Sequence, residues 1–324
     1  MRRGGALAVA AAVAILVLSW PALTRTASST TTLASPVSTT SAPAPPQKPA
    51  PVCVHSSAGQ TCSPWKLKDP WSPGNALYTT SFPVPHQPGV TAYAAWIRTS
   101  STDLALYPGY KGPGPTSLAR GPEEVPPSAR SRLLATFNAG FYEADARAGF
   151  YVNRTLYFPM VSGLATVVRY RNGRVDVVAW HGGVRPPADV LMARQNLPLL
   201  VNDARATPAT AVNSEWGLTL HGVPDVWRTA LGVDASGNLI YAAAANQSAQ
   251  SLASLMVSLH AVRAMELDIN PEWPIFVTYG APGALGATLF VPNPNQIPTR
   301  FLYSSTKDFF AVFASAHPGE AQPW

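Results

Sequence analysis

Ala264-Met265-Glu266-Leu267-Asp268-Ile269-Asn270-Pro271-Glu272-Trp273 starts as an apolar strand and finishes as a polar turn. Side chains alternate along a strand, which puts Glu266, Asp268 and Asn270 on one face and Met265, Leu267 and Ile269 on the other. Carboxylates at the end of an apolar strand are costly to bury unless they are hydrogen-bonded, paired or used. Pro271 lacks a backbone donor and restricts the residue before it, so the strand is expected to stop at Asn270. Asp268 and Asn270 then stand at a strand end, where sites are often built. The competing reading is that they only cap neighbouring turns.

Upstream of this stretch, the spacing predicts a helix over 251–261, with Leu252, Leu255, Met256 and Leu259 on one face and Ser248 or Ser251 as its cap. Before the helix, 227–233 reads as a strand, Asp234-Ala235-Ser236-Gly237-Asn238 as a turn and 239–245 as the return strand. Further strands are expected at 90–99, 132–137, 151–158, 165–170 and 175–180, the last two joined by the hairpin turn Arg171-Asn172-Gly173-Arg174. Short strands follow at 197–201, 275–279, 289–291 and 309–313. The sum is an α+β domain, strand-rich, with a mixed sheet and one well-marked packed helix.

The chain has 324 residues, 33 of them proline, and a formal net charge of +6. That charge is not spread evenly. Residues 1–68 hold Arg2, Arg3, Arg25, Lys48, Lys66 and Lys68 and no acid; 23 basic residues less these six leaves 17, against 17 acids. A basic tail on a neutral body excludes a nucleic-acid groove and suits export toward a polyanionic envelope. Met1-Arg2-Arg3 followed by an apolar run to Leu23 is a signal peptide or signal anchor, close to the ~20 residues that span a bilayer. Residues 24–51, almost all Ser, Thr, Ala and Pro, form a solvated tether. Residues 52–89 are read as a disulfide loop and a wrapping segment carrying Trp65 and Trp71, and 90–324 as the main strand-rich domain. Cys53 and Cys62 are the only cysteines, and in an exported protein an even pair at this spacing is expected to be bonded.

No phosphate-binding P-loop, GxGxxG, GxSxG or HExxH is present. No cofactor is expected. Asp268-Ile269-Asn270-Pro271-Glu272 echoes the start of a calcium loop, but Trp273 stands where that loop needs glycine; a divalent cation here is the remaining metal possibility.

Three segments carry a resemblance: Phe137-Asn138-Ala139-Gly140-Phe141; Arg228-Thr229-Ala230-Leu231-Gly232-Val233-Asp234 with Gly237-Asn238-Leu239; and Leu267-Asp268 after an amphipathic helix. In this order and spacing the chain resembles the phosphodiester glycosidase domain family over about 90–280. The resemblance implies an exported hydrolase that acts on a glycan or sugar-phosphodiester, with Asn138, Gly140 and Arg228 as substrate-binding residues and Asp268 as the active carboxylate; Asn270, beside Asp268 at the strand end, is a further substrate-binding candidate from its position alone. The chain departs from the family pattern in two places. Ala139 replaces a glycine, and Ile269-Asn270-Pro271-Glu272 replaces a glycine-rich run that would suit an anion.

Glycosidic cleavage commonly uses two carboxyl groups. Asp268 is the first; Glu266, Asp203, Glu143, Asp145 and Asp234 are the candidates for its partner, although Asp234 also suits a turn. Arg228, at the start of an apolar strand, can hold a phosphate or carboxylate with its planar fork, or brace the sheet through an ion pair. Asn138 suits a sugar hydroxyl or a turn. The helical excursion between the strands of Arg228 and Asp268 allows a crossover that brings their polar ends together beside Asn138. The expected activity is hydrolysis of a glycosyl-phosphodiester or related linkage in an envelope glycopolymer. The rival is a non-catalytic envelope protein on the same fold that binds glycan or supports polysaccharide assembly.

Overall fold

Three antiparallel sheets share one apolar core in the computed structural model, which describes residues 48–56, 59–217 and 223–316. The signal run and most of the tether lie outside the described residues. Among the described residues no helix is long and apolar enough to cross a membrane.

The largest sheet has eight strands. Its centre is Val226–Val233, flanked on one side by Arg263–Glu266 and on the other by Leu239–Gln247, which in turn pairs with Thr91–Ile97 and Leu77–Pro83. Alternation decides what each face buries. Leu231, Val233, Tyr241, Ala243, Met265 and Leu267 enter the core shared with the other two sheets. Ala230, Ala242, Ala244 and Ala264 face the helix side instead.

The helix spans Ala249–Ser258, and the Ser248 side chain caps it by accepting the Ser251 N–H. Its fully buried positions include Leu252, Leu255 and Met256, the stripe that the 3.6-residue period predicts. The small residues beneath it let it sit close: a Cβ at Gly232 would fall 2.9 Å from Met256 Cε and 2.6 Å from the Arg263 carbonyl oxygen. The helix carries the chain from Leu239–Gln247 to Arg263–Glu266, with Val226–Val233 lying between these two parallel strands. It is therefore a crossover, and Val226–Val233 runs antiparallel to both neighbours.

Several boundaries differ from the sequence reading. The strand over 263 onward stops at Glu266, not Asn270, because Leu267 and Asp268 bond to Thr229 and then turn away. The expected strand 151–158 is a hairpin, Phe150–Val152 and Thr155–Phe158, with Asn153 and Arg154 both at positive φ in its turn. The segment read as wrapping supplies Leu77–Pro83, an integral strand of the large sheet. Near it, Cys53 and Cys62 face each other across the hairpin Val52–Ser56 and Gly59–Ser63 and are bonded. A bonded pair suits an oxidising, extracytoplasmic compartment.

Candidate active site

Arg228 near the start of Val226–Val233 and Glu266 at the end of Arg263–Glu266 meet because the two strands are antiparallel, with Ala230 opposite Glu266. Alternation turns both side chains toward the helix side of the sheet. Arg228 Nη1 donates to Glu266 Oε1 at 2.5 Å, and both side chains are fully buried. The rest of the guanidinium is occupied as well. Nε donates to the Gln247 carbonyl at 2.7 Å, Nη1 to the Trp216 carbonyl at 2.9 Å and Nη2 to Asn213 Oδ1 at 3.2 Å. Burial pushes the Glu266 carboxyl up to about 7, with the Arg228 charge pulling the other way.

The opposite side of the same strand carries a different knot. The Thr229 hydroxyl accepts from Asn138 Nδ2 at 2.9 Å and from the Asp268 N–H at 2.9 Å, and donates to the Asp268 carbonyl at 3.0 Å. Asn138 Oδ1 accepts from the Tyr241 hydroxyl at 3.1 Å and from the Ile275 N–H. Asn138 ends the strand Leu133–Asn138 of a second sheet, so Thr229 ties two sheets together at Asp268. Gly140 lies behind this knot: a Cβ there would come 3.2 Å from Asn196 Cγ. Asn196 Nδ2 in turn donates to the Glu266 and Leu267 carbonyls at 2.8 Å.

Fixed in this way by its backbone, Asp268 turns its side chain to a cavity of about 600 Å³. Oδ1 accepts the Asn270 N–H at 3.0 Å, and Oδ2 is ion-paired with Lys307. Lys307 comes from the polar entry to the strand Phe309–Ala314, and its ammonium lies 4.7 Å from the centre of the Tyr142 ring and 5.2 Å from that of Trp273. Burial raises the pKa of the Asp268 carboxyl, and Lys307 is the strongest influence opposing that rise. Asp145 and Glu215 add two exposed carboxylates to the lining, and Tyr142, Phe141 and Trp273 add aromatic surface. Behind Lys307, Asp308 accepts from Arg194 Nε at 2.8 Å, while Arg194 Nη2 donates to the Phe141 carbonyl at 2.5 Å.

Of the residues singled out in the sequence, Asp268, Asn270 and Asp145 line the cavity. Glu266, Arg228, Asn138 and Gly140 are buried behind its wall. The ion pair of Arg228 is with Glu266 and not with Asp268. Glu266 and Asp268 do not share a face, because the alternation stops where the strand does. Asp203 sits in an exposed turn after Leu199–Asn202, at the far end of the strands: Val201 pairs with Ala264, near the start of Arg263–Glu266. Asp234 accepts the N–H groups of Ser236 and Asn238 and works as a turn former. In the stretch that echoes a calcium loop, Asp268 and Asn270 each accept a backbone N–H two residues on.

Lys307, Tyr142 and Glu215 escaped the sequence reading. One signal for Lys307 existed. Thr306-Lys307-Asp308 is a polar entry to the apolar run 309–313, the mirror image of a strand running into Leu267-Asp268.

Glycosidic cleavage commonly uses two carboxyl groups, and the cavity lining holds Asp268, Asp145 and Glu215 beside the rings of Phe141, Tyr142 and Trp273. Residues 131–268 match the phosphodiester glycosidase family, a stretch that runs from the strand of Asn138 to Asp268 itself and supports a glycosidase-type function. No curated protein matches the chain. Among solved structures, the chain is similar to the catalytic domain of zebrafish N-acetylglucosamine-1-phosphodiester alpha-N-acetylglucosaminidase, auto-inhibited by its pro-peptide. The identity is 14%, covering 78% of this chain and 88% of that one, with a TM-score of 0.47. A hypothetical protein from Synechocystis is 14% identical over 74% of this chain and 62% of that chain, with a TM-score of 0.43. A protein described as exported, from Burkholderia pseudomallei, is 13% identical over 70% and 74%, with a TM-score of 0.31.

Proposed function

We propose that the chain is an exported hydrolase that cleaves a glycosyl-phosphodiester or a related glycosidic linkage in an envelope glycopolymer. The observation that carries this reading is Asp268: it closes the stretch matched by the family, is held by its backbone to Thr229, and presents a buried carboxylate to the cavity. Asp268 acts on the leaving oxygen. Asp145 or Glu215, both in the lining, takes the second carboxyl role, activating water or attacking the anomeric carbon. Tyr142 and Trp273 offer ring faces on which a sugar can stack. Arg228 and Asn138 act at one remove, by holding the walls. The apolar run at the N-terminus directs export, and the tether keeps the body away from the membrane or lets it reach through a cell wall.

The test is a screen of the purified body against sugar-1-phosphodiesters, with Asp268→Asn alongside. Turnover by the parent and none by the variant is the expected result. Turnover surviving in the variant would remove Asp268 from the chemistry.

Two observations favour the rival reading of a glycan-binding or assembly protein. Arg228 and Asn138 spend their polar atoms on the protein itself, and the glycine run after Leu267-Asp268 is replaced. Tight sugar-phosphodiester binding with no turnover in that screen would decide for it.

A further inference from the structure

Lys307 differs from the buried arginines near it in what surrounds its charge. Arg194 and Arg228 lie behind the cavity wall and give their N–H groups to carbonyl oxygens, to one carboxylate each and, for Arg228, to the Asn213 amide. Lys307 is the one lysine or arginine among the described residues that line the cavity. Its ammonium has three donors. Asp268 accepts from it, and the Tyr142 and Trp273 rings attract the charge without supplying an oxygen. The remaining donor capacity, held between two rings, faces a space large enough for a sugar. Asp145 and Glu215 are exposed, so solvent and salt screen their repulsion of an incoming anion.

We propose that Lys307 is the anion-receiving group of the cavity, taking a phosphoryl oxygen of the substrate. It does so where Asn270-Pro271-Glu272 leaves no glycine nest to serve that purpose. The inference rests on the phosphodiester reading above. Its consequence is an exchange of partners. An anion at Lys307 weakens the pull that keeps Asp268 ionised, while the burial that favours the neutral acid remains. Anion binding therefore favours the protonated form of Asp268. In that form it is an acid standing beside the leaving oxygen.

The other titratable and charged groups around the pair are Tyr142 against Lys307, Arg300 with its guanidinium 4.9 Å from the centre of the Trp273 ring, Tyr241 behind Asp268, Glu266 in its pair with Arg228, and Asp308 in its pair with Arg194. Both tyrosines are pushed upward and stay neutral near pH 7. The two carboxylates keep their guanidinium partners when an anion enters the cavity.

Dimethyl phosphate, a diester anion with no sugar, tests this without any need for hydrolysis. It is titrated calorimetrically into the full chain near pH 7, in two buffers of different ionisation enthalpy. The parent is expected to bind with net proton uptake. Lys307→Gln is expected to weaken binding about tenfold or more, the scale of a charge-assisted hydrogen bond, and Lys307→Arg to retain it. Asp268→Asn is expected to bind the anion without proton uptake, a readout that holds even if Lys307→Gln does not fold. Absence of binding to the parent, equal binding by folded Lys307→Gln, or parent binding without proton uptake would each overturn the proposal. A parent that binds dimethyl phosphate through Lys307 yet cleaves no sugar-1-phosphodiester would sink the hydrolase reading and leave this one standing.

Discussion

The Lys307 ammonium meets the Asp268 carboxylate although 39 residues and a sheet boundary separate them. Asp268 follows the strand Arg263–Glu266 of the eight-stranded sheet, and Lys307 precedes Phe309–Ala314 of a five-stranded one. The pair forms where the ends of these two sheets converge, and the cavity opens beside it.

Asp268→Asn preserves size and most hydrogen bonding but removes the ionisable group. Turnover of a sugar-1-phosphodiester should vanish; the unfolding midpoint should fall because Lys307 loses its charged partner, but the fold should persist. The backbone bonds to Thr229 do not depend on the charge. Asp145→Asn and Glu215→Gln, assayed in parallel, identify the second carboxyl. The one that fills that role loses turnover, and the other keeps it.

Arg228→Lys should act on stability rather than on substrate. The substitution loses the planar fork that reaches Gln247, Trp216 and Asn213 together with Glu266. The charge opposite Glu266 is kept, but each buried acceptor left without its donor costs roughly 1–3 kcal/mol. Urea unfolding measures this directly. A variant with parental stability but weakened anion binding would move Arg228 into the cavity after all.

Glu266 should give the fold a pH-dependent component. Its carboxyl is lifted from 4.5 to about 7 by burial, so the folded chain holds this proton more tightly than the unfolded chain does. The contribution is greatest below the unfolded value and is lost as pH rises from about 4.5 through about 7. Comparing urea unfolding at pH 5 and pH 8 in the parent and in Glu266→Gln isolates it. An identical pH difference in both proteins would show that Glu266 contributes none of it.

Leu255→Ala removes a side chain that is 3% exposed beneath the helix. Truncations of this kind cost roughly 2–5 kcal/mol. The melting midpoint should fall clearly, with the strands of the large sheet still formed. A midpoint equal to the parent's would mean that the helix is held by other contacts.

The disulfide closes a short loop, Cys53 and Cys62 being 9 residues apart. Loop-closure entropy for that length is worth roughly 2–3 kcal/mol. The double change Cys53→Ser, Cys62→Ser should lower stability by up to that amount, and mass spectrometry of the unreduced parent should find no alkylatable thiol.

What could be read in the sequence divides by range. The helix stripe, its Ser248 cap, the hairpin turn at Asn172-Gly173 and the cysteine pair all rest on neighbours a few residues apart, and each stands where local chemistry puts it. Asp268 was legible because an apolar strand running into a carboxylate is a local contradiction. The partners were not legible. Nothing within a few residues of Arg228 says that Glu266 rather than Asp268 lies across from it. That depends on the strand ending two residues before Asp268, where the Thr229 hydroxyl captures the backbone. Lys307 was harder still, because its meaning depends on how two sheets converge.

Arg228 holds the Trp216 carbonyl and, through Nη2, Asn213 Oδ1, while Asn213 Nδ2 donates to the Pro224 carbonyl. Both ends of the segment 213–224 are thus clasped to one guanidinium, and Ser214, Glu215 and Gly217 within it form part of the cavity rim. Ser214, exposed on that rim, can therefore be exchanged while the strand that carries Arg228 and Thr229 goes on holding Asp268 in place.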